Sequence, residues 1–324
     1  MKALYYEKLE DDCVKCQLCP RECILKPDQR GYCRARENRD GELYSTIYAQ
    51  ISAIALDPIE KKPLYHFYPG SEILSVGTVG CNLSCMFCQN WHIAHDKAPT
   101  RKVTGKELVE LALRYNSIGI AYTYSEPLIW YEYILETSKL AREAGLKNVL
   151  VTNGFINEEP LKELLQYIDG INLDVKAFHR KFYKEICGGG DLEVIKKTAV
   201  LTVENCHLEV TTLLVPGLND DPEEIEKLSK WLASLSPDIP FHLSRYFPQY
   251  KMDLPPTDVE SMLEAKKVAE KYLNYVYLGN LTNADRNTYC YQCHYPVVKR
   301  SWQVDVDLKD GHCPRCGVNI PIIL

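Results

Sequence analysis

Between residues 73 and 280, short runs of apolar and β-branched residues alternate with longer stretches whose apolar positions recur at helical spacing. Runs of the first kind read as buried strands and those of the second kind as amphipathic helices. Strands are predicted over 73–78, 118–123, 148–152, 170–175, 206–214, 240–244 and 275–279. Helices are predicted between them. Thr104 and Glu107 form a capping-box pattern opening a helix to about residue 115, and residues 128–144 form another that Gly145 stops. Residues 157–167, 191–203, 221–235 and 257–272 complete the series, with Asp-Pro or Glu-Pro pairs near several starts. No glycine-rich dinucleotide fingerprint follows the first strand, so the repetition predicts an α/β fold built as a partial or full (β/α) barrel, not an open doubly wound sheet. Chemistry in such a barrel sits at the C-terminal ends of the strands.

The flanks differ in character. Residues 1–70 are polar, Cys-rich and Arg-rich at first, with residues 43–56 reading as a strand or hairpin; they form an N-terminal extension on the barrel core of residues 71–282. Residues 283–324 form a separate short unit with its own cysteines. Composition is that of an ordinary globular protein, with 46% hydrophobic and 25% charged residues. The net charge of −6 comes with no basic stripe, which disfavours general nucleic-acid binding. No apolar run is long enough for a membrane span, and the first residues carry neither a cleavable apolar core nor a lipid-attachment pattern, so a cytoplasmic location is expected.

The cysteines change the picture. Of fourteen, only Cys187 and Cys206 stand outside three short clusters, and clustered Cys in a reducing compartment reads as metal ligation. Cys81, Cys85 and Cys88 lie on one loop after the first barrel strand. Three thiolates leave one iron of a four-iron cluster without a protein ligand, whereas structural zinc wants four. Cys290, Cys293, Cys313 and Cys316 form two knuckles of the zinc-ribbon kind, which suits Zn²⁺. In the N-terminal group, Cys13, Cys16, Cys19 and Cys23 have bacterial-ferredoxin spacing but lack the following Pro and a second copy. The alternative set is Cys16, Cys19, Cys23 and Cys33, with Cys13 spare; its metal is zinc or a second iron–sulfur cluster. Cys187 and Cys206 read as buried thiols, and the triglycine after Cys187 reads as a loop hinge.

Strand ends supply the other candidates: Ser125 and Glu126 before Pro127, Asn153 before Gly154, Asp174 and Lys176, Val215 before Pro216, and His242, Ser244 and Arg245. Each has a plain alternative. Glu126 also suits a helix start, Asn153-Gly154 a turn, and Asp174 with Lys176 a salt bridge.

The CxxxCxxC spacing, with aromatic Phe87 before the last Cys, resembles the signature of the radical S-adenosylmethionine (SAM) enzymes. That resemblance implies a [4Fe-4S] cluster on Cys81, Cys85 and Cys88, and S-adenosylmethionine chelating its open iron. It also implies a 5′-deoxyadenosyl radical that abstracts hydrogen from a substrate. Tyr124-Ser-Glu-Pro127 is similar to the family's Gly-Gly-Glu-Pro element, with Tyr-Ser in place of Gly-Gly, and implies that Glu126 accepts from the methionine ammonium. Phe87, Ser125, Asn153, Asp174, Lys176, Val215 and Ser244 fall at further cofactor positions; Gln89, His242 and Arg245 fall on the substrate side. The Cys16 to Cys33 leader, residues 244–247 and 277–280, and the final ribbon resemble the radical enzymes of the AmmeMemoRadiSam system, akin to pyruvate formate-lyase activating enzymes. A reductant such as flavodoxin or ferredoxin and a protein substrate are implied partners. The competing class is a multi-metal electron-transfer or binding protein with no radical chemistry of its own.

Overall fold

The computed structural model describes residues 1–324. Its centre is one eight-stranded sheet. The predicted runs become β2 (Glu72–Gly77), β3 (Gly119–Tyr122), β4 (Lys147–Thr152), β5 (Gly170–Asp174), β6 (His207–Leu214), β7 (Phe241–Arg245) and β8 (Val276–Gly279), all parallel. A further strand, β1 (Ala53–Pro58), pairs antiparallel with β2. Each strand lies beside its neighbour in sequence, so the strand order never reverses as it does in a doubly wound sheet. β1 and β8 are the two edges, and the fold is an open, partial (β/α) barrel.

Six crossover helices cover the outer face: α1 (Gly105–Arg114), α2 (Tyr131–Glu143), α3 (Glu158–Leu165), α4 (Leu192–Asn205), α5 (Pro222–Leu235) and α6 (Val259–Ala269). The capping box at Thr104 and Glu107 is formed, and Asp191, Asp221 and Asp258 each accept from a backbone N–H at the next helix start. Gly145, at φ +78°, ends the segment after α2. The interior strands are buried almost throughout, as a sheet clad by helices requires. Trp130 is fully buried beside α2 and donates from Nε1 to Ile47 O at 2.8 Å. No helix is long and apolar enough to cross a membrane.

The N-terminal residues form a small sheet of Tyr6–Lys8, Val14–Cys16 and Ile24–Leu25, and a hairpin of Arg36–Arg39 with Glu42–Ser45. The run over 43–56 therefore divides among three sheets, with Gln50–Ile51 pairing antiparallel with Arg101–Lys102 between the other two. Ala49 adopts φ +58° and turns the chain, so Glu42–Ser45 stays with the hairpin while β1 joins the main sheet. A buried ion pair, Arg36 to Glu132 at 2.7 Å, ties the hairpin to α2.

At the other edge, Thr288–Tyr289, Pro296–Arg300 and Val304–Val306 form a three-stranded antiparallel sheet. Its residues Val297 and Val298 share an apolar cluster with Tyr65, Tyr275, Tyr277, Ile320 and Ile322. The C-terminal unit is thus seated on the β8 edge.

Candidate functional site

The loop after β2 is held from several sides. Ser84 and Met86 donate their backbone N–H groups to Cys187 O and Ile186 O, both at 2.9 Å. Asn82 donates from Nδ2 to Phe155 O at 2.7 Å, and its backbone carbonyl accepts from Arg21 Nε at 2.5 Å. Asn90 donates from Nδ2 to Tyr124 O at 2.8 Å. Gly188 is required where it stands: φ is +72°, and a Cβ there would lie 1.9 Å from Ser84 Oγ. The close passage of residues 186–188 buries Cys187 completely, with its thiol beside that of Cys85. Burial raises Cys81 well above an ordinary thiol and Cys88 to about 11. Thiols raised by desolvation become stable thiolates on binding a metal cation.

The three thiols open into a cavity of about 270 Å³ at the C-terminal ends of the strands. It brings together Cys81, Cys85, Phe87, Cys88, Gln89, Ser125, Glu126, Asn153, Asp174, Lys176 and Ser244 of the sequence candidates. Glu126 is buried; Oε1 accepts from Thr152 Oγ1 at 2.5 Å and Leu128 N at 3.0 Å, and Oε2 accepts from Asn153 N at 2.9 Å. Desolvation still pushes its pKa to about 7, despite these donors. Asp174 Oδ2 pairs with Lys176 Nζ at 2.6 Å, so the salt bridge and the pocket position coexist. Ser125 Oγ, Asp174 Oδ1 and Thr211 Oγ1 are buried in this same wall without a protein partner. Three unpaired polar atoms around a buried carboxylate fit a cofactor that carries an ammonium, a carboxylate and ribose hydroxyls.

Other candidates lie elsewhere. Val215 is fully buried, its N–H donating to Asn219 Oδ1 at 2.6 Å. Arg245 donates from Nε to Thr257 O at 2.7 Å and covers the Phe247 ring. His242 pairs with the buried Glu209 at 2.6 Å and lines a second, polar cavity of about 870 Å³. That cavity shares Gln89, Thr211 and Ser244 with the first. Thr123 and Thr211 had no motif of their own, whereas Thr152 belongs to the Thr-Asn-Gly run at the end of its strand. Their signal is positional, as residues beside named ones at strand ends.

Residues 75–232 match the family model described as the Radical SAM superfamily. The chain is 42% identical, over 100% of its length and 99% of the relative's, to an uncharacterized protein of Methanocaldococcus jannaschii. It is 28% identical to the pyruvate formate-lyase-activating enzyme of Clostridium pasteurianum, over 60% of this chain and 87% of that one. This chain belongs to the radical SAM superfamily. Among solved structures, a radical SAM methyltransferase from Sphaerobacter thermophilus has the same fold, with a TM-score of 0.51 at 18% identity over 70% of this chain and 71% of that one. The chain is a radical SAM enzyme related to activating enzymes, with the chemistry of a [4Fe-4S] cluster and S-adenosylmethionine.

Two more cysteine groups accompany this radical SAM core. Cys290, Cys293, Cys313 and Cys316 bring their Sγ atoms within 4.8 Å of one another, with pairs at 3.5 and 3.6 Å. Each knuckle is closed by a left-handed residue after its second Cys, His294 (φ +55°) and Gly317 (φ +76°). Four thiols drawn this close could hold a metal ion. The N-terminal group gathers Cys16, Cys19, Cys23 and Cys33; burial raises the thiols of Cys16, Cys19 and Cys33, and neighbouring thiols of the group raise them further.

Proposed function

We propose that this enzyme cleaves S-adenosylmethionine reductively and uses the resulting 5′-deoxyadenosyl radical to take a hydrogen atom from a substrate. The observation that carries the reading is the convergence, in one cavity, of three cysteines, a buried carboxylate and three unpaired polar atoms. Bound there, the cluster and S-adenosylmethionine supply the electron and the labile C–S bond. Cys81, Cys85 and Cys88 hold three irons and leave the fourth for the cofactor. Glu126 accepts from the methionine ammonium, which also settles its buried charge. Ser125, Asn153 and Asp174 take the remaining polar groups of methionine and ribose, with Ser244 on the adjoining wall. Lys176 neutralises Asp174, and Phe87 shields the cluster; Lys176 Nζ stands 5.7 Å from its ring centroid. Val215, behind the wall, positions the loop on the adenine side.

Substrate enters by the polar cavity, where Gln89 is common to both spaces and His242 stands further out, held by Glu209. Arg245 braces the β7 end. The relationship to activating enzymes makes a glycyl segment of a protein the first candidate substrate. A polar small molecule is the second, favoured by Asn280, Asn283 and Arg286, which wall the same cavity. The Cys-rich leader supports membership of the AmmeMemoRadiSam branch. Zn²⁺ occupies the C-terminal knuckles, since a tetrahedral Zn–S bond of about 2.3 Å sets sulfurs ~3.8 Å apart, close to the pairs seen. The electron comes from flavodoxin or ferredoxin.

Electron paramagnetic resonance tests the assignment. In anaerobically reconstituted, dithionite-reduced enzyme, added S-adenosylmethionine is expected to shift the central cluster's signal. A spectrum indifferent to the cofactor would favour the electron-carrier reading, in which every iron is already ligated.

A further inference from the structure

The geometry points to Cys16, Cys19, Cys23 and Cys33 as ligands of a second iron–sulfur cluster, placed to hand one electron to the central one. The direction of transfer rests on the radical reading above; the identity of the metal does not. Two built sites in one molecule permit a direct comparison. At the C-terminal knuckles all four thiol sulfurs fall within 4.8 Å, the spacing of a single ion. The N-terminal four are not drawn into so close a group. Cys23 Sγ and Cys33 Sγ each lie 3.9 Å from where a Cβ on Gly31 would stand, and Cys16 N donates to Cys23 O at 3.0 Å. Four sulfurs that sit on four separate irons need more room than four on one zinc.

Arg36 gives a second, independent sign. It is 1% exposed, spends its terminal nitrogens on Leu4 O at 3.1 Å and Glu132 Oε1 at 2.7 Å, and keeps a buried Nε without a partner. Its charge reaches both Cys16 and Cys33. A buried N–H with nothing to donate to is costly. Beside an anionic centre with sulfur acceptors it has a function, because such hydrogen bonds stabilise the reduced state.

The group is also built onto the central loop. A Cβ on Gly80, the residue before Cys81, would lie 2.5 Å from Cys33 O, and Gly80 itself has φ +96°. Tyr32 OH and Ser84 Oγ meet at 2.6 Å, so the neighbours of Cys33 and Cys85 touch as well. Cys19, Cys23 and Cys33 are partly exposed, and besides the buried Arg36 the segment from Cys13 to Arg39 carries six basic residues against three acidic in a chain of net charge −6. An acidic one-electron carrier therefore meets a complementary surface on the outer side. The carrier, of flavodoxin or ferredoxin type, loses one electron; the outer centre gains it and passes the same electron inward, returning to its starting state. No bond or proton is exchanged at the outer site.

The test is metal content and spectroscopy on the full chain, reconstituted anaerobically. The expectation is about eight iron and one zinc per chain in wild type, about four iron in Cys19→Ser/Cys23→Ser, and about four in Cys81→Ala/Cys85→Ala/Cys88→Ala. Zinc stays unchanged throughout. The central triple variant is expected to keep a reduced-cluster resonance that S-adenosylmethionine does not move. Cys13→Ser, outside the set, is expected to match wild type and controls for substitution in this segment. About four iron and two zinc in wild type would overturn the proposal, as would a central triple variant with no iron. The iron count is independent of cofactor cleavage, so the proposal fails separately from the radical assignment. In Cys19→Ser/Cys23→Ser, reduction of the central cluster by reduced flavodoxin is expected to slow at least tenfold while reduction by dithionite persists. Equal rates with flavodoxin would remove the relay.

Discussion

Asn153 Nδ2 donates to Asn82 Oδ1 at 3.0 Å, joining the end of β4 to the loop that carries the three central cysteines. The bond is part of a closed circuit. Asn82 Nδ2 donates to Phe155 O at 2.7 Å, and Phe155 N donates to Asn153 Oδ1 at 2.9 Å. Asn153 N meanwhile donates to Glu126, so one asparagine sets both the cluster loop and the cofactor carboxylate.

Breaking that circuit separates cluster retention from fold. Asn82→Ala leaves Phe155 O without its donor and Asn153 Nδ2 with only the long contact to Cys81 Sγ at 3.8 Å, at a cost of about 1–3 kcal/mol. Thermal melting is expected to fall by several degrees and iron to leave the reduced protein faster under chelator. Unchanged iron release would contradict the loop-clamping role.

The passage of residues 186–188 against the loop gives a sharper, compensable test. Gly188→Ala places a methyl on Ser84 Oγ at a left-handed backbone position. Reconstituted iron in the central site is expected to drop. Ser84→Gly introduced into the same chain removes the clash and is expected to restore part of it.

Acid stability is tied to His66, which bonds Pro321 O at 3.1 Å and Tyr277 OH at 2.8 Å and so fastens the C-terminal tail to the sheet edge. Burial lowers its pKa to about 3. Between about 6.5 and 3 the unfolded chain binds a proton that the folded chain refuses, so stability falls as pH drops through that window, by at most about 1.4 kcal/mol per pH unit. Denaturant titrations of wild type and His66→Gln check this. The variant is expected to be less stable at neutral pH and to show a flatter acid limb.

Zinc at the C-terminal knuckles is expected to hold the ribbon in place. Cys313→Ser should lose the zinc, open residues 283–324 to protease and leave central iron largely intact. A ribbon that stays protected without metal would mean that the cluster of Tyr65, Tyr275, Val297 and Ile320 suffices.

The parallel strands and crossover helices were legible because each is a local pattern: a β-branched run of strand length, or an apolar stripe opened by a cap. Glu126 and the three cysteines were legible because their spacing survives without the fold. What escaped is long-range. β1 reads as an ordinary short apolar run, and nothing local says that it crosses to pair antiparallel with β2. Cys187 reads as a buried thiol beside glycines; its contact with Cys85 depends on residues 186–188 folding back over a loop about a hundred positions earlier. His242 and Ser244 alternate as expected, yet Glu209 draws His242 away into the second cavity.

Production of 5′-deoxyadenosine measures the central claim most directly. Iron-replete, anaerobically reduced wild type is expected to convert S-adenosylmethionine to it, the Cys81→Ala/Cys85→Ala/Cys88→Ala variant to make none, and Glu126→Gln to make at least tenfold less at subsaturating cofactor with central iron unchanged. Wild type that holds a full central cluster and yields no 5′-deoxyadenosine would contradict the account.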